Sequence, residues 1–192
     1  MSIQKFRLKN MLSKSCVKLI QLSFDKVIGV EVRRIQMGEV ELEANDKKIS
    51  ISQLETHFNN LGFSIVLDPD SATVEKIKLA AVELIHFAFN TNSLIRNSDY
   101  ISEKVQLPYD KLSKLFSRVT NTTLEKYIIL LKIEKAKELI SNEEFSLSEI
   151  SFMLGYSSVQ YLSNQFKKIT GITVSEFKEN PDRYRKPLED LL

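Results

Sequence analysis

Two short segments carry side chains whose types and spacing suit the edge of a nucleic-acid base. Residues 158–168, SVQYLSNQFKK, put Val159, Gln160, Ser163, Asn164 and Lys167 on the side of a helix opposite Leu162, Phe166 and Ile169. Gln and Asn can pair bidentately with adenine, Lys can donate to guanine, and a Val methyl suits the thymine methyl. Residues 110–118, DKLSKLFSR, show Asp110, Lys111, Ser113, Lys114 and Ser117 opposite Leu112, Phe116 and Val119. Lys111, Arg118, Lys167, Lys168 and an N-cap hydroxyl such as Ser158 suit phosphate oxygens. For any single residue a solvated polar face explains as much, so the weight rests on the two segments being copies.

Other chemistry is poorly served. No Gly-rich phosphate loop and no Ser/His/Asp or Cys/His spacing is present, so neither an enzyme nor a cofactor is expected. Cys16 is the only cysteine, which excludes an intramolecular disulfide and fits a reducing, cytoplasmic setting. His57 and His86 lie far from it in sequence and read as structural or surface residues. No stretch approaches the ~20 apolar residues of a membrane span. Met1–Leu12 lacks the apolar core of a signal peptide, so no membrane association is expected.

The copies are extended. Residues 112–127, LSKLFSRVTNTTLEKY, match residues 162–177, LSNQFKKITGITVSEF, at an offset of 50. Leu112 meets Leu162, Phe116 meets Phe166, Thr120 meets Thr170, Thr123 meets Thr173 and Tyr127 meets Phe177. Just upstream the offset is 49, pairing Ile101 with Ile150 and Val105 with Leu154, so the second copy gains one residue in its turn. Each copy reads as a short helix, a tight turn and a longer amphipathic helix, which is helix-turn-helix geometry. The second helix of such a unit enters the major groove.

Periodicity predicts helices at Thr73–Asn90, with a break at Asn90–Ser93, then Ser98–Val105, Tyr109–Val119, Leu124–Ile140, Leu147–Leu154, Ser158–Thr170 and Val174–Glu179. Leu124–Ile140 joins the units. Its 17 residues make a rod of roughly 25 Å, able to set two recognition helices about one DNA turn apart. One chain would then read two successive grooves at a non-palindromic site, as a monomer or weak homodimer.

Residues 5–67 have another rhythm. Strands are predicted at Lys5–Lys9, Val30–Gln36, Glu39–Ala44 and Phe63–Leu67, with helices at Ser13–Ile28 and Ser50–Leu61. The order βαββαβ predicts an α+β, ferredoxin-like N-terminal domain over 1–70. An all-α domain with two helix-turn-helix units follows over 72–180, and 181–192 reads as a tail. The third strand displays Glu39, Glu41 and Glu43 and no aromatics, which argues against RNA binding on the open sheet face.

From about Val74 to Lys178 the chain resembles the AraC-type regulators, on LSKLFSRVTNTTLEKYIILLKIEKAKELI and SLSEISFMLGYSSVQYLSNQFKKITGITVSEF. The resemblance implies transcription control through double-stranded DNA and contact with RNA polymerase at some promoters. Carried over, base contacts fall to Val159, Gln160, Tyr161, Ser163 and Asn164, and to Asp110, Lys111, Ser113 and Lys114. Gln106 stands where the family often has a turn glycine. Asp110 puts a negative charge near the groove, so the second unit is expected to carry more of the reading.

Residues 4–67 are similar to heavy-metal-associated, copper-chaperone-like domains. Their Met-x-Cys-x-x-Cys loop reads here as Met11-Leu12-Ser13-Lys14-Ser15-Cys16. One thiolate is a poor Cu(I) site, and Cys16 beside an apolar helix face reads first as core filler. No metal is expected, with Cys16 the sole candidate ligand, and the domain reads as a sensory, docking or dimerising module. The alternative is a metal carrier using Cys16 with a helical interaction module. Net charge is +2, and residues 92–192 hold 15 basic and 14 acidic residues, so any DNA surface must come from local clustering.

Overall fold

The computed structural model describes residues 2–45, 48–87 and 97–192, in two compact units, Met1–Leu79 and Ala80–Leu192. The break expected at Asn90–Ser93 lies outside the described residues.

The first unit runs β1 (Ser2–Lys9), α1 (Lys14–Phe24), β2 (Val30–Gln36), β3 (Glu39–Ala44), α2 (Ile51–Asn60) and β4 (Ser64–Ile65). The strands form one antiparallel sheet in the order β2-β3-β1-β4. Strand alternation sends Phe6, Leu8, Val40, Leu42 and Ala44 to one face, where they are buried with Ile20 and Phe24 of α1 and Leu54 and Phe58 of α2. Ser13 caps α1 by accepting from Cys16 N, and Ser50 with Gln53 makes a capping box on α2. α1 ends at Phe24, short of the expected Ile28. Gly29, at φ +88°, serves the entry into β2 instead.

The open face is not the bare acidic surface expected from Glu39, Glu41 and Glu43. Lys5 Nζ lies 2.6 Å from Glu39 and 3.5 Å from Glu41, and Arg33 pairs with both Glu43 and Glu31. Register causes this, because the basic residues of β1 fall opposite the acids of β3, Lys5 against Glu41 and Arg7 against Glu39. The face still lacks an aromatic platform among the described residues.

The helix expected from Thr73 starts earlier, at Pro69. Asp68 Oδ2 accepts from Ser71 N at 2.7 Å, and Pro69 begins α3 (Pro69–Val82). The division between the units, at Leu79 and Ala80, falls inside α3. A π-helical turn follows at Glu83–Phe87.

The second unit contains α4 (Asn97–Val105), α5 (Tyr109–Thr120), α6 (Leu124–Asn142), α7 (Leu147–Met153), α8 (Val159–Thr170) and α9 (Val174–Glu179). α6 is buried on nearly all sides, which explains its apolar run without a single polar face. Near its N-terminus Tyr127 packs on Phe116 of α5. Ile133, Ala136, Leu139 and Ile140 join Ile150, Leu154, Leu162, Phe166, Val174 and Phe177 in one core.

Residues 181–192, expected as a tail, are held onto α6. Lys137 Nζ donates to Tyr184 O at 2.7 Å, and Lys186 N donates to Glu134 Oε2 at 3.1 Å. Glu134 and Lys137 are buried and paired at 2.5 Å, so their remaining hydrogen-bonding capacity needs partners that water does not supply. The C-terminal backbone provides them.

Candidate nucleic-acid interface

The sequence repeat is also a repeat of atoms. Leu112 and Leu162, Phe116 and Phe166, and Ile101 and Ile150 are all buried. Phe116–Tyr127 and Phe166–Phe177 ring centroids lie 5.4 and 5.5 Å apart. Thr120 Oγ1 donates to Phe116 O, and Thr170 Oγ1 to Phe166 O, both at 2.8 Å. Asn121 and Gly171 end α5 and α8 in the left-handed conformation, and Thr123 and Thr173 cap the helices that follow. Val119 and Ile169, expected inside, are half-buried.

The turns differ as the one-residue insertion requires. Gln106 and Gly155 hold positive φ, +61° and +69°. Leu107 N donates to Ser102 O, and Tyr156 N to Ser151 O, closing the same wide turn in each copy. The second turn then carries an extra residue before α8, whose N-cap Ser158 accepts from Tyr161 N at 3.1 Å. α5 starts from Pro108, which has no side chain to cap with. The Ser158 hydroxyl offered to phosphate is thus already engaged with its own helix.

These helices bring the expected residues to the surface. On α8 Gln160, Tyr161, Asn164, Lys167 and Lys168 are exposed, as is Ser158 before it, while Val159 and Ser163 are half-buried. On α5 Asp110, Lys111, Lys114 and Arg118 are exposed and Ser113 is half-buried. Gln160 Nε2 donates to Asn164 Oδ1 at 2.9 Å, so the two amides form a connected pair.

Sequence reasoning missed the residues that brace this surface. The Tyr161 ring meets Tyr156 edge-on at 5.7 Å, and Lys132 Nζ of α6 lies 5.5 Å over the Tyr156 ring. Burial, then Tyr161, pushes the Tyr156 hydroxyl up to about 12, and burial pushes Lys132 down. In the first unit Tyr109 donates to Glu125 Oε1 at 2.9 Å, tying α5 to the start of α6. An aromatic beside each turn was the available clue.

Metal chemistry does not fit the residues present. Ser13 Oγ lies 3.2 Å from Cys16 Sγ, which leaves one thiol where soft-metal chemistry needs at least two. Among the described residues no group of three or more His, Cys, Asp or Glu could hold a metal ion. His57 Nε2 contacts Ser23 Oγ and its ring packs on Phe24, a structural role. Among the described residues no helix is long and apolar enough to cross a membrane.

A family model described as a helix-turn-helix domain matches residues 101–180, from within α4 to the end of α9. This part of the chain is a helix-turn-helix domain. Residues 74–100, included in the resemblance drawn from sequence, lie outside the match. The chain is similar to curated regulators. The xylose operon regulatory protein of Escherichia coli K12 is 30% identical over 100 residues, 52% of this chain and 26% of that protein. The Msm operon regulatory protein of Streptococcus mutans is 29% identical over 97 residues, 50% of this chain and 34% of that protein. The chain thus spans about a quarter to a third of the length of these relatives. An AraC-type regulator structure from Chromobacterium violaceum is similar at a TM-score of 0.46 and 24% identity, covering 55% of this chain and 91% of that one. The match to the family model lies wholly outside residues 4–67, whose likeness to heavy-metal-associated domains has no support beyond element order.

Proposed function

We propose that this chain is a sequence-specific transcription regulator that binds double-stranded DNA through α5 and α8, one helix in each of two successive major grooves. The duplicated helix-turn-helix on one buried helix is the observation that carries this reading. α6 has 19 residues, roughly 28 Å at ~1.5 Å per residue, the scale of one DNA turn. Base reading is assigned to Val159, Gln160, Tyr161, Ser163 and Asn164, and to Asp110, Lys111, Ser113 and Lys114. Phosphate contact is assigned to Arg118, Lys167 and Lys168, with Ser158 and Lys111 nearby. The relatives that regulate operons by name point the same way.

The first unit is read as a ferredoxin-like sensory, docking or dimerising module without a metal. Its sheet order and βαββαβ sequence support the fold, and the single thiol at Cys16 argues against a metal carrier. RNA polymerase is a further proposed partner, by analogy with the family. Selection of bound duplexes from a random pool tests the central reading. A non-palindromic motif of two blocks about one turn apart is expected, and no enrichment at all would sink it.

A further inference from the structure

The two units place different chemistry at the same positions of their second helices. At the offset of 50, Asp110 stands where α8 has Gln160, and Lys114 where α8 has Asn164. All four side chains are exposed. Residues four apart share one helix face, roughly 5–6 Å apart at Cβ. Both pairs begin at the second residue of their helix, the end that reaches base edges in this geometry.

In α8 the hydrogen bond from Gln160 Nε2 to Asn164 Oδ1 is already made. It occupies one amide hydrogen of Gln160 and one carbonyl of Asn164. The bond leaves unused an acceptor, Gln160 Oε1, and a donor, Asn164 Nδ2, on two exposed side chains. Adenine offers the complement in the major groove, an amino donor at N6 and an acceptor at N7. Guanine offers two acceptors, N7 and O6, and would set O6 against the Gln160 carbonyl.

In α5 the same two positions hold a carboxylate, which only accepts, and an ammonium, which only donates. The carboxylate matches the cytosine N4 amino group, and the ammonium matches guanine O6 and N7. Neither matches adenine as an acceptor–donor pair.

We propose that the DNA site of this chain is chemically bipartite, with Gln160 and Asn164 selecting an A·T pair in one block and Asp110 and Lys114 selecting a G·C pair in the other. This rests on the reading of α5 and α8 as base-reading helices. Asp110 then has a positive role in the groove. A competing role is available to it, since an acid in the first turn of a helix also favours the helix dipole, and that role makes no base preference.

The test is selection of bound duplexes by the full chain, in the wild type and two exchanges, D110Q/K114N and Q160D/N164K. The wild type should enrich one block requiring A·T and one requiring G·C. D110Q/K114N should convert the G·C requirement to A·T, leave the other block unchanged, and weaken binding to the original site on the order of 10-fold or more. Q160D/N164K should do the converse. Enrichment of the wild-type motif by both exchanges overturns the assignment while leaving DNA reading intact, and no motif from any form overturns both. If an exchange fails to fold by circular dichroism, D110N and N164A carry the test on duplexes changed one base pair at a time. Loss of discrimination at one C·G and one A·T pair respectively is expected. Equal loss on specific and random duplexes, or a change in melting temperature alone, overturns the proposal.

Discussion

Gln106 and Gly155 occupy the same turn position in the two units and share a left-handed backbone, at φ +61° and +69°. Gly adopts this conformation freely, whereas a side chain there is strained by roughly 1–2 kcal/mol. Gln106 recovers part of this through a bond from its Nε2 to Glu103 O at 2.6 Å. Gln106→Gly should therefore stabilise the chain by about 0.5–1 kcal/mol. Gly155→Ala should destabilise it by about 1 kcal/mol, through the backbone and not by collision, because an added Cβ would meet only Lys132 Nζ at an ordinary 3.6 Å. Urea denaturation of both variants checks the pair, and opposite signs are the expected result.

The buried Glu134–Lys137 pair links the middle of α6 to the C-terminal segment. Removing one partner leaves a buried charge alone. Lys137→Met or Glu134→Leu should each destabilise by about 3–5 kcal/mol, and the double variant by much less. Removal of residues 181–192 should also lower the melting temperature, since Tyr184 O and Lys186 N leave with them. Thermal melts that show no penalty for the single variants would contradict the role given to this segment.

Lys167 and Lys168 are exposed at the end of α8. As phosphate contacts they should act without regard to sequence. Each change to Ala should weaken binding to specific and random duplexes alike and reduce the slope of log K against log salt by about 0.9. Titrations at several salt concentrations read both quantities. Asn164→Ala should instead weaken the specific site preferentially.

His86 is half-buried against Lys135 and Glu138 of α6. Burial, then Lys135, lowers its pKa from 6.5 to about 4, against the opposing pull of Glu138. The unfolded chain takes up a proton near pH 6.5, and the folded chain only near pH 4. The neutral ring's stabilisation is therefore fully present above pH 6.5 and is lost as pH falls from there toward 4, at up to about 1.4 kcal/mol per pH unit. The stability of the wild type relative to His86→Leu, measured from pH 4.5 to 7.5, should fall as pH falls. A constant difference would remove this account.

Much of the second unit was legible because its information is local. Thr123 and Thr173 are N-caps, and Thr120 and Thr170 donate to the carbonyl four residues back, contacts that act within a turn of helix, while Leu112/Phe116 and Leu162/Phe166 lie at helical spacing. Helix ends were less legible. α3 starts at Pro69, ahead of the expected Thr73, because the Asp68 cap precedes a proline that the first turn of a helix accepts.

The sequence by itself determined the two copies, the faces they bury and the residues they leave exposed, since helical periodicity and capping depend on neighbours three or four positions away. The Gln160–Asn164 bond belongs to the same class, although its direction came from the folded helix. Only the tertiary structure decided which partners meet across long separations. Lys137 and Tyr184 are 47 residues apart, and Glu134 and Lys186 are 52 apart. Nothing in the spacing of Lys5, Arg33 and the glutamates of β3 announced their pairing, which strand register settles. The bracing of Tyr161 by Tyr156 and Lys132 depends on how α6 crosses the second turn. Burial and charge pairing arise where distant segments exclude water together, and no local pattern in the chain encodes that.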